Sequence, residues 1–553
     1  MLLSIDIDAK SLGTKQLFNH LTFSVDAKEK LAIIGRNGVG KTTLFRMLTN
    51  QEQSEAGEVI FRNGTRIVST AQEHHDIGDQ SALDYIITNL PDYARMKHII
   101  DTYPETMGDD LKKIEAYSNA LEHFSSLGYY NIEDAILHSL TDYQIDEEMA
   151  RAPMKRLSGG QKRFVELVRI EHSAADLALI DEPTNHMDYL AKQSFIEWLK
   201  SVKYAVVVIS HDRDVLHYVD RIIEIKDGKA TSFKGNYDAY LKQNATSTAA
   251  QMHGYEVSRR RIENLKSSLI NYRRLKEKAR DPDTIARFKR LEQKAVDEIE
   301  ELQSIDKPNF WIDRESAENL NKKVSDNYEK YKSKNIRINK TRTSEGAREL
   351  LHIDELQLGY TDAPLFSPIS FRLKHGDRLQ LVGRNGVGKT TLIRAIVDAS
   401  HGARATTWRA GSIFTDGKLR LSVYDQEVDT SLLSLNLAEA IEQTYHQLEM
   451  PVTDELVKRI MSDYLFNPYE DGHLPVSSLS GGQKARLQII KMLANNPNLL
   501  VLDEPTNHLD LPSIEELENA LTSYHGALLF VSHDSYFAKN LGGETLVLQP
   551  ANG

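Results

Sequence analysis

Two glycine-rich segments carry a lysine and two threonines in an arrangement that suits nucleotide phosphates. Each follows a short apolar run and has the sequence GRNGVGKTTL, starting at Gly35 and again at Gly383. Glycines let the backbone wrap a phosphate and aim its N–H groups inward, and the following helix N-terminus adds positive potential. The lysine is expected to contact the β- and γ-phosphates, and the first threonine to bind Mg²⁺. The residues assigned to the two loops are Gly35, Asn37, Gly38, Gly40, Lys41, Thr42 and Thr43, and Gly383, Asn385, Gly386, Gly388, Lys389, Thr390 and Thr391.

A pair of acidic residues follows another apolar run in each half of the chain. Asp181 and Glu182 follow the run LALI, and Asp503 and Glu504 follow LLVL. Continuous apolar runs of this kind are typical of strands buried on both faces of a parallel sheet. The aspartates are predicted to hold Mg²⁺ beside the phosphates, and the glutamates to orient and activate the attacking water.

These motifs are part of a repeat. LSGGQ occurs from Leu157 and again from Leu479, and SHD occurs from Ser210 and again from Ser532. Both repeats, like the acidic pairs, are 322 residues apart (479 − 157), whereas the glycine-rich loops are 348 residues apart (383 − 35). The chain is therefore a tandem duplication whose copies differ in internal spacing.

The spacing also predicts domain boundaries. Gln72 precedes LSGGQ by 85 residues in copy one, but its counterpart Gln426 precedes LSGGQ by 53 in copy two. Copy one therefore has an insertion of 32 residues. Both copies are predicted to be α/β, because each has short apolar strands ahead of a glycine-rich turn and a helix. The predicted regions are copy one at 1–243 with an insertion within about 80–140, a connector at 244–345, and copy two at 346–553.

The order of loop, glutamine, LSGGQ, acidic pair and SHD resembles the ABC ATPase superfamily. The resemblance implies two P-loop ABC-type nucleotide-binding domains in tandem, joined by a linker, that form a head-to-tail sandwich with ATP and Mg²⁺. Site one combines the loop of copy one with LSGGQ of copy two, and site two is the reverse. Because both copies are in one chain, the sandwich can close within a monomer. A physical reason supports the pairing, since a helix that starts at LSGGQ has free N–H groups that suit a γ-phosphate.

The resemblance also assigns roles to further residues. The glutamines would sense Mg²⁺ and water, so that each metal site has three ligands, and the histidines of SHD would contact the γ-phosphate. The metal ligands are Thr42, Gln72 and Asp181 in site one, and Thr390, Gln426 and Asp503 in site two. The catalytic residues are Glu182, Gln72 and His211, and Glu504, Gln426 and His533. The LSGGQ residues are Ser158, Gly159, Gly160 and Gln161, and Ser480, Gly481, Gly482 and Gln483.

The adenine contact is predicted to differ between the sites. The family usually stacks an aromatic residue on adenine, upstream of the loop, and Tyr360 fits this role in copy two. With the 348-residue offset, its counterpart in copy one is Leu12. We therefore expect a weaker adenine contact in site one, or a contact from another residue.

The connector is basic, although the whole chain has a net charge of −12. From Tyr255 to Lys294 it has 13 Lys/Arg against 6 Asp/Glu, a net charge of +7. Apolar residues at helical spacing on both sides of Asp281-Pro282 predict an α-helical hairpin with a tight tip. A solvated coiled coil is one interpretation, but so local a reversal of charge favours contact with RNA phosphates. The candidate RNA-binding residues are Arg259, Arg260, Arg273, Arg274, Lys278, Arg280, Arg287, Lys289 and Arg290.

Two such domains, a basic helical connector and an insertion in copy one resemble the ABC-F family. The family implies an ATPase that binds the ribosomal E site, with the connector tip directed at the peptidyl-transferase centre and the P-site tRNA. ATP binding would favour ribosome association, through rRNA and tRNA contacts, and hydrolysis would release the protein. A general translation factor and a protein that protects ribosomes from antibiotics both remain open.

Composition narrows the alternatives. The chain has no cysteine, which argues against the DNA-repair and recycling ABC proteins that carry Cys-ligated zinc or iron–sulfur clusters. No apolar run approaches about 18 residues, and the N-terminus lacks a basic segment, so a cytoplasmic protein without a membrane segment is expected.

The main alternative is an ATPase pair of an ABC transporter with separate membrane subunits, which gives no reason for a basic connector. A chromosome-organising ATPase would need a far longer coiled coil.

Overall fold

The computed structural model forms two compact units, one with Met1–Tyr237 and Ile336–Gly553, the other with Asp238–Asn335. The first unit therefore contains both copies of the repeat. The residues that the structure describes are 1–13, 15–49, 51–70, 79–185, 187–278, 280–303, 348–360, 363–403, 408–424, 428–464, 466–479, 481–507 and 509–551.

Copy one has a mainly parallel sheet and a smaller antiparallel sheet. Its strands are β1 (Leu3–Leu12), β2 (Lys15–Val25), β3 (Lys30–Gly35), β4 (Ala56–Phe61), β5 (Ile67–Ser69), β6 (Leu177–Asp181), β7 (Ala205–Ile209), β8 (Arg221–Lys226) and β9 (Lys229–Lys234). The larger sheet has the order β5-β6-β7-β3-β8-β9, in which all strands are parallel except β9, which pairs antiparallel with β8. The smaller has the order β2-β1-β4. Leu177 to Ile180 and Ala205 to Ile209 are buried throughout, which matches the apolar runs that predicted these strands.

The helices of copy one connect these strands and include an extra helical hairpin. They are α1 (Lys41–Leu48), α2 (Ala82–Thr88), α3 (Tyr93–Thr106), α4 (Leu111–Ser126), α5 (Ile132–Asp142), α6 (Glu147–Arg151), α7 (Gly159–Glu171), α8 (Tyr189–Ser201) and α9 (Arg213–Leu216). Helices α3 and α4 pack against each other within the range predicted for the insertion. An aromatic cluster stabilises their base, where Tyr93 and Phe124 lie 5.3 and 5.4 Å from Tyr129 between ring centroids.

The second unit is a helical hairpin of α10 (Tyr237–Lys278) and α11 (Pro282–Gln303). Asp281 accepts a hydrogen bond from the Thr284 backbone N–H at 2.9 Å, which begins α11 as the sequence predicted. Leu265, Ala295 and Ile299 form its buried seam. The predicted boundary between 243 and 244 lies inside α10, because this helix is continuous from Tyr237.

Copy two repeats the architecture. Its strands are β10 (Glu349–Leu358), β11 (Ile369–Lys374), β12 (Arg378–Val382), β13 (Trp408–Thr415), β14 (Leu421–Tyr424), β15 (Leu499–Asp503), β16 (Ala527–Val531) and β17 (Glu544–Val547). Its helices are α12 (Lys389–Ser400), α13 (Leu437–Gln447), α14 (Asp454–Asp463), α15 (Gly481–Leu493), α16 (Leu511–Thr522) and α17 (Ser535–Leu541). The sheets have the orders β14-β15-β16-β12-β17, all parallel, and β11-β10-β13, antiparallel.

The parallel sheets place the predicted motifs together. The carboxyl ends of β3, β6 and β7 lie at one edge, where the loop from Gly35, the acidic pair from Asp181 and the triplet from Ser210 follow them. Ligands of open α/β sheets bind at this edge. Burial of each Val, Leu or Ile of these strands stabilises the fold by about 1.5–3 kcal/mol, so the strands under the motifs form a stable scaffold. In the part of the chain that the structure describes, no helix is both long and apolar enough to cross a membrane.

Candidate nucleotide sites

The two glycine-rich loops have nearly identical geometry. Gly40 and Gly388 each have φ of 104° and precede the first helical residue without a side-chain cap. At Gly40 a Cβ would lie 2.8 Å from the Phe18 ring, so both the backbone angle and the space require glycine. Nζ of Lys41 donates to the carbonyl of Gly35 at 2.7 Å, within its own loop. The loop thus positions a buried lysine beside a helix N-terminus, as an anion site requires.

The acidic pairs lie next to these loops. In copy two the Thr390 hydroxyl donates to Oδ2 of Asp503 at 2.7 Å, so the two predicted metal ligands are adjacent. Glu182 and Glu504 have φ of 43° and 48°, a strained conformation for residues other than glycine. Such strain is common where a side chain is held for function. Burial raises the pKa of Glu182 to about 8 and that of Glu504 to about 7.

The histidines of the SHD triplets face these glutamates. Nε2 of His211 lies 3.7 Å from Oε1 of Glu182, and Nε2 of His533 lies 3.2 Å from Oε1 of Glu504. Burial lowers the pKa of His211 to about 3 and that of His533 to about 4, so both rings are neutral at pH 7. Both ring nitrogens of His211, Nε2 of His533 and Oε1 of Glu504 are buried without a hydrogen-bond partner among the described residues. Buried polar atoms of this kind require a partner, and a phosphate with its attacking water fits them.

The LSGGQ motif of copy one caps helix α7. The Ser158 hydroxyl accepts from the Gln161 backbone N–H at 3.2 Å, and Oε1 of Gln161 accepts from the Ser158 N–H at 3.0 Å. This capping box occupies the Gln161 side chain, which was predicted to contact nucleotide. Gln72, Gln426 and Ser480 lie outside the described residues.

One cavity of about 1760 Å³ is lined by both loops and by the motifs around them. The predicted residues that line it are Asn37, Gly38, Gly40, Lys41, Thr42, Thr43, Ser158, Gly159, Asp181, Glu182, His211, Tyr360, Asn385, Gly386, Gly388, Lys389, Thr390, Thr391, Asp503, Glu504 and His533. Of the other predicted residues whose surroundings the structure describes, Gly35, Gly160, Gln161, Gly383 and Gln483 do not line it. The surroundings of Gly481 and Gly482 lie outside that description. Tyr360 and Leu12 both line the cavity and are 65% and 63% exposed, so neither is a core residue.

In each site, an aspartate of one copy binds the glycine-rich loop of the other copy. Neither aspartate was predicted from the sequence. Oδ2 of Asp510 accepts from the Asn37 backbone N–H at 2.8 Å, and Oδ2 of Asp188 accepts from the Asn385 N–H at 3.1 Å. The other carboxylate oxygen of each caps the helix that follows it. A signal was present, because both end the repeated sequence DEPTNHxD and precede a helix.

The basic hairpin has both paired and unpaired cations. Arg261 and Arg273 form ion pairs with Glu298 and Glu292 at 2.8 and 2.9 Å, which connect the two helices. Arg273, a predicted RNA contact, therefore also has a structural role. The side chains of Arg259 and Arg260, two further predicted RNA contacts, lie outside the part of the molecule that the structure describes. The other predicted residues are exposed and form no ion pair within the described residues, and they are Arg274, Lys278, Arg280, Arg287, Lys289 and Arg290.

Comparison with known proteins decides the family. A family model described as ABC transporter matches residues 18–185 and 366–507, more than half of the chain. A second model, of an extension segment with the same description, matches 223–319, which includes the hairpin. The chain belongs to the ABC-F family of ATP-binding proteins. As an ABC-F protein it binds ATP and is an ATPase.

Relatives match this ABC-F protein along nearly all of its length. The putative ATP-binding protein YdiF of Bacillus subtilis is 30% identical over 562 residues, which cover 100% of this chain and 80% of YdiF. The probable ATP-binding protein YheS of Escherichia coli K12 is 29% identical, over 96% of this chain and 76% of YheS. The ATP-binding protein Uup of Buchnera aphidicola is 26% identical, over 98% and 79%.

Solved structures share the fold at low sequence identity. The RNase-L Inhibitor has a TM-score of 0.56 at 14% identity, over 98% of this chain and 87% of that chain. The archaeal ribosome recycling factor aABCE1, in a complex with the ribosomal stalk protein aP1, has a TM-score of 0.55 at 14% identity, over 96% and 84%. A model of ribosome-bound archaeal Pelota and ABCE1 gives 0.52 at 16% identity, over 94% and 72%. These solved structures therefore share the fold of this chain over nearly all of its length.

Proposed function

We propose that this protein is a ribosome-associated ATPase, in which ATP draws the two ABC domains together and hydrolysis releases the protein. The basic hairpin contacts ribosomal RNA. Two of the structural relatives are described with ribosomal components, which supports a ribosome as the partner. From the ABC-F resemblance, the proposed site is the ribosomal E site in the cytoplasm, with the hairpin tip near the P-site tRNA. Translation factor and antibiotic-resistance protein both remain compatible with this site.

The observation that carries the proposal is a set of exposed cations on the hairpin that form no ion pair with any residue that the structure describes. Arg274, Arg280, Arg287 and Arg290 are exposed on either side of the tip at Asp281. A chain with net charge −12 gains nothing in solubility from a cluster of opposite sign. RNA phosphates are the partner that such a sequence-independent cationic surface suits.

Each ATP site has the groups that hydrolysis requires. We assign Glu182 and Glu504 to orienting the attacking water, since burial raises their pKa to about 8 and about 7, and a carboxyl pKa raised toward the working pH suits a general base. His211 and His533 would donate from neutral rings to the γ-phosphate. The site also fits Mg²⁺, because the Thr390 hydroxyl and Asp503 carboxylate are hard oxygen donors side by side. A bound Mg²⁺ would neutralise phosphate charge during transfer.

Charge reversal on the hairpin tests the proposal. The variant R274E/R280E/R287E/R290E avoids the paired Arg261 and Arg273, so the hairpin should keep its fold. We expect its affinity for ribosomes in ATP to fall by more than about tenfold. The plot of log K against the logarithm of salt concentration should also become less steep, by about 3 units of slope. Its ATPase rate without ribosomes should not change. Co-sedimentation at several salt concentrations measures both quantities.

A matched control separates hairpin charge from total charge. The residues reversed in the control are exposed bases of the two ABC domains, Lys28, Lys229, Lys458 and Arg459. This K28E/K229E/K458E/R459E protein should bind ribosomes like the wild type. If both quadruple variants bind equally well, the hairpin is a spacer. If the wild type does not bind ribosomes either, the ATPase acts on another partner, and the membrane subunits of a transporter become the first alternative.

A further inference from the structure

Lys192, on helix α8 of copy one, is a buried lysine that reaches copy two. It is 4% exposed, and its Nζ donates to the backbone carbonyl of His533 at 2.6 Å. The same Nζ lies 3.0 Å from Asp212 and 2.9 Å from Asp214. Burial alone would lower the pKa of Lys192, but these two carboxylates outweigh it, and the pKa is raised. The side chain is therefore a fixed positive charge at the interface of the two ABC domains.

This lysine holds a residue that is itself bonded to the proposed general base. The His533 backbone N–H donates to Oε2 of Glu504 at 3.2 Å, while the His533 carbonyl accepts from Lys192. The backbone of His533 is thus held by Glu504 on one side and by copy one on the other. Lys192 also lines the cavity with Glu504. The placement of the His533–Glu504 pair therefore depends on a residue of the opposite copy.

The arrangement is one-sided. With the 322-residue offset, the counterpart of Lys192 is Ile514, whose aliphatic side chain cannot donate a hydrogen bond. The buried ion pair beside it, Arg213 with Glu518 at 2.8 Å, is one-sided too. Its counterparts are Ser535 and Ile196, which cannot form an ion pair. Site one thus lacks the contact that site two has.

We propose that Lys192 is a positioning residue for ATP hydrolysis at site two, through which copy one holds His533 and Glu504 in working geometry. The inference rests on the proposed roles of Glu504 and His533. It makes the two ATP sites unequal, because the backbone of the histidine beside the general base is held by a lysine of the opposite copy in site two, whereas the counterpart position for site one is Ile514. Closure of the domains would then complete site two directly.

The test measures each site separately. An E182Q background leaves site two active, and an E504Q background leaves site one active. We expect K192M to lower kcat at site two by about 10- to 100-fold, as misplacement of a catalytic group does, with little change in KM. The rate at site one should stay within error. K192R, which keeps the charge and the donors, should restore much of the site-two rate.

Two further variants guard against an effect on folding. K192M leaves Asp212 and Asp214 without their cation, so K192M/D214N, which keeps the total charge, should show the same loss at site two. K200M makes the same substitution at an exposed lysine of the same helix and should alter neither site. Thermal unfolding of each variant shows whether it is folded.

The outcomes separate the inference from the proposed function. A loss confined to site two in both K192M proteins supports the inference. An equal loss at both sites, or none at site two, overturns it and leaves Glu504 in its proposed role. If E504Q leaves site-two hydrolysis intact, the role of Glu504 is wrong and the inference about Lys192 falls with it.

Discussion

Site one and site two carry the same ten-residue loop, the same acidic pair and the same histidine, yet their surroundings differ. The glutamate–histidine contact is 3.7 Å in site one and 3.2 Å in site two. The aspartate that contacts the loop of site one, Asp510, is 4% exposed, whereas its counterpart Asp188 is half-buried. At the position predicted to contact adenine, copy one has Leu12 and copy two has Tyr360, and both line the cavity. The two sites thus share one set of motifs, and we expect the residues around those motifs to make the sites unequal.

The largest expected difference concerns the two cross-domain aspartates. Asp510 binds the Asn37 N–H and both the N–H and the hydroxyl of Ser513. Removing its charge in D510N should lower hydrolysis at site one by about 10- to 100-fold, because a buried charge-assisted hydrogen bond contributes about 1.5–3 kcal/mol. D188N should lower site two by less than about tenfold, because Asp188 is more exposed and its bond to Asn385 is longer. Single-site ATPase rates in the E504Q and E182Q backgrounds measure each effect.

The control for this pair is the rate at the other site. D510N should leave site two nearly intact, and D188N should leave site one nearly intact. If D188N proves as damaging as D510N, burial does not distinguish the two contacts, and the sites are more alike than the structure indicates.

A smaller difference is expected at the adenine end. Tyr360 donates to or accepts from the Thr391 hydroxyl at 3.1 Å, which positions its ring at the cavity wall. Y360A should raise KM for ATP at site two by about 2- to 10-fold, since an aromatic contact contributes about 0.5–1.5 kcal/mol. L12Y should lower KM at site one, and L12A should change it little. Equal KM values for the wild-type sites, with no response to Y360A, would show that Tyr360 does not contact adenine.

Much of the fold was predictable because its determinants are local. The apolar runs before Gly35 and Asp181 predicted β3 and β6, since buried parallel strands need continuous apolar sequence. The hairpin was predicted from apolar residues at helical spacing on both sides of Asp281-Pro282. In the structure, Asp281 caps helix α11 by accepting a hydrogen bond from the Thr284 backbone N–H. The loops, acidic pairs and histidines were identified by order along the chain, and the structure places the described ones around one cavity.

What could not be predicted depends on contacts between distant residues. Nothing local marks Lys192 as a residue that contacts His533, since the two are 341 positions apart. In the sequence, Arg273 and Arg274 are equivalent candidates for RNA contact. Only the structure, in which the antiparallel helices place Glu292 beside Arg273, distinguishes them. The capping box of Ser158 and Gln161 is different, because it is local and its pattern S-x-x-Q is readable from the sequence. For Lys192 and Arg273 the partner determines the role, and sequence patterns do not specify partners across a fold.

Control of ribosome release by ATP hydrolysis is tested by measuring ribosome association of the E182Q/E504Q protein in ATP and in ADP. Replacing both general bases should leave ATP bound and unhydrolysed, so the domains stay closed. We expect this protein to co-sediment with ribosomes in ATP and not in ADP, while the wild type dissociates as it hydrolyses ATP. Binding that is the same with either nucleotide, or release of the double variant at the wild-type rate in ATP, would contradict the claim that ATP hydrolysis controls release from the ribosome.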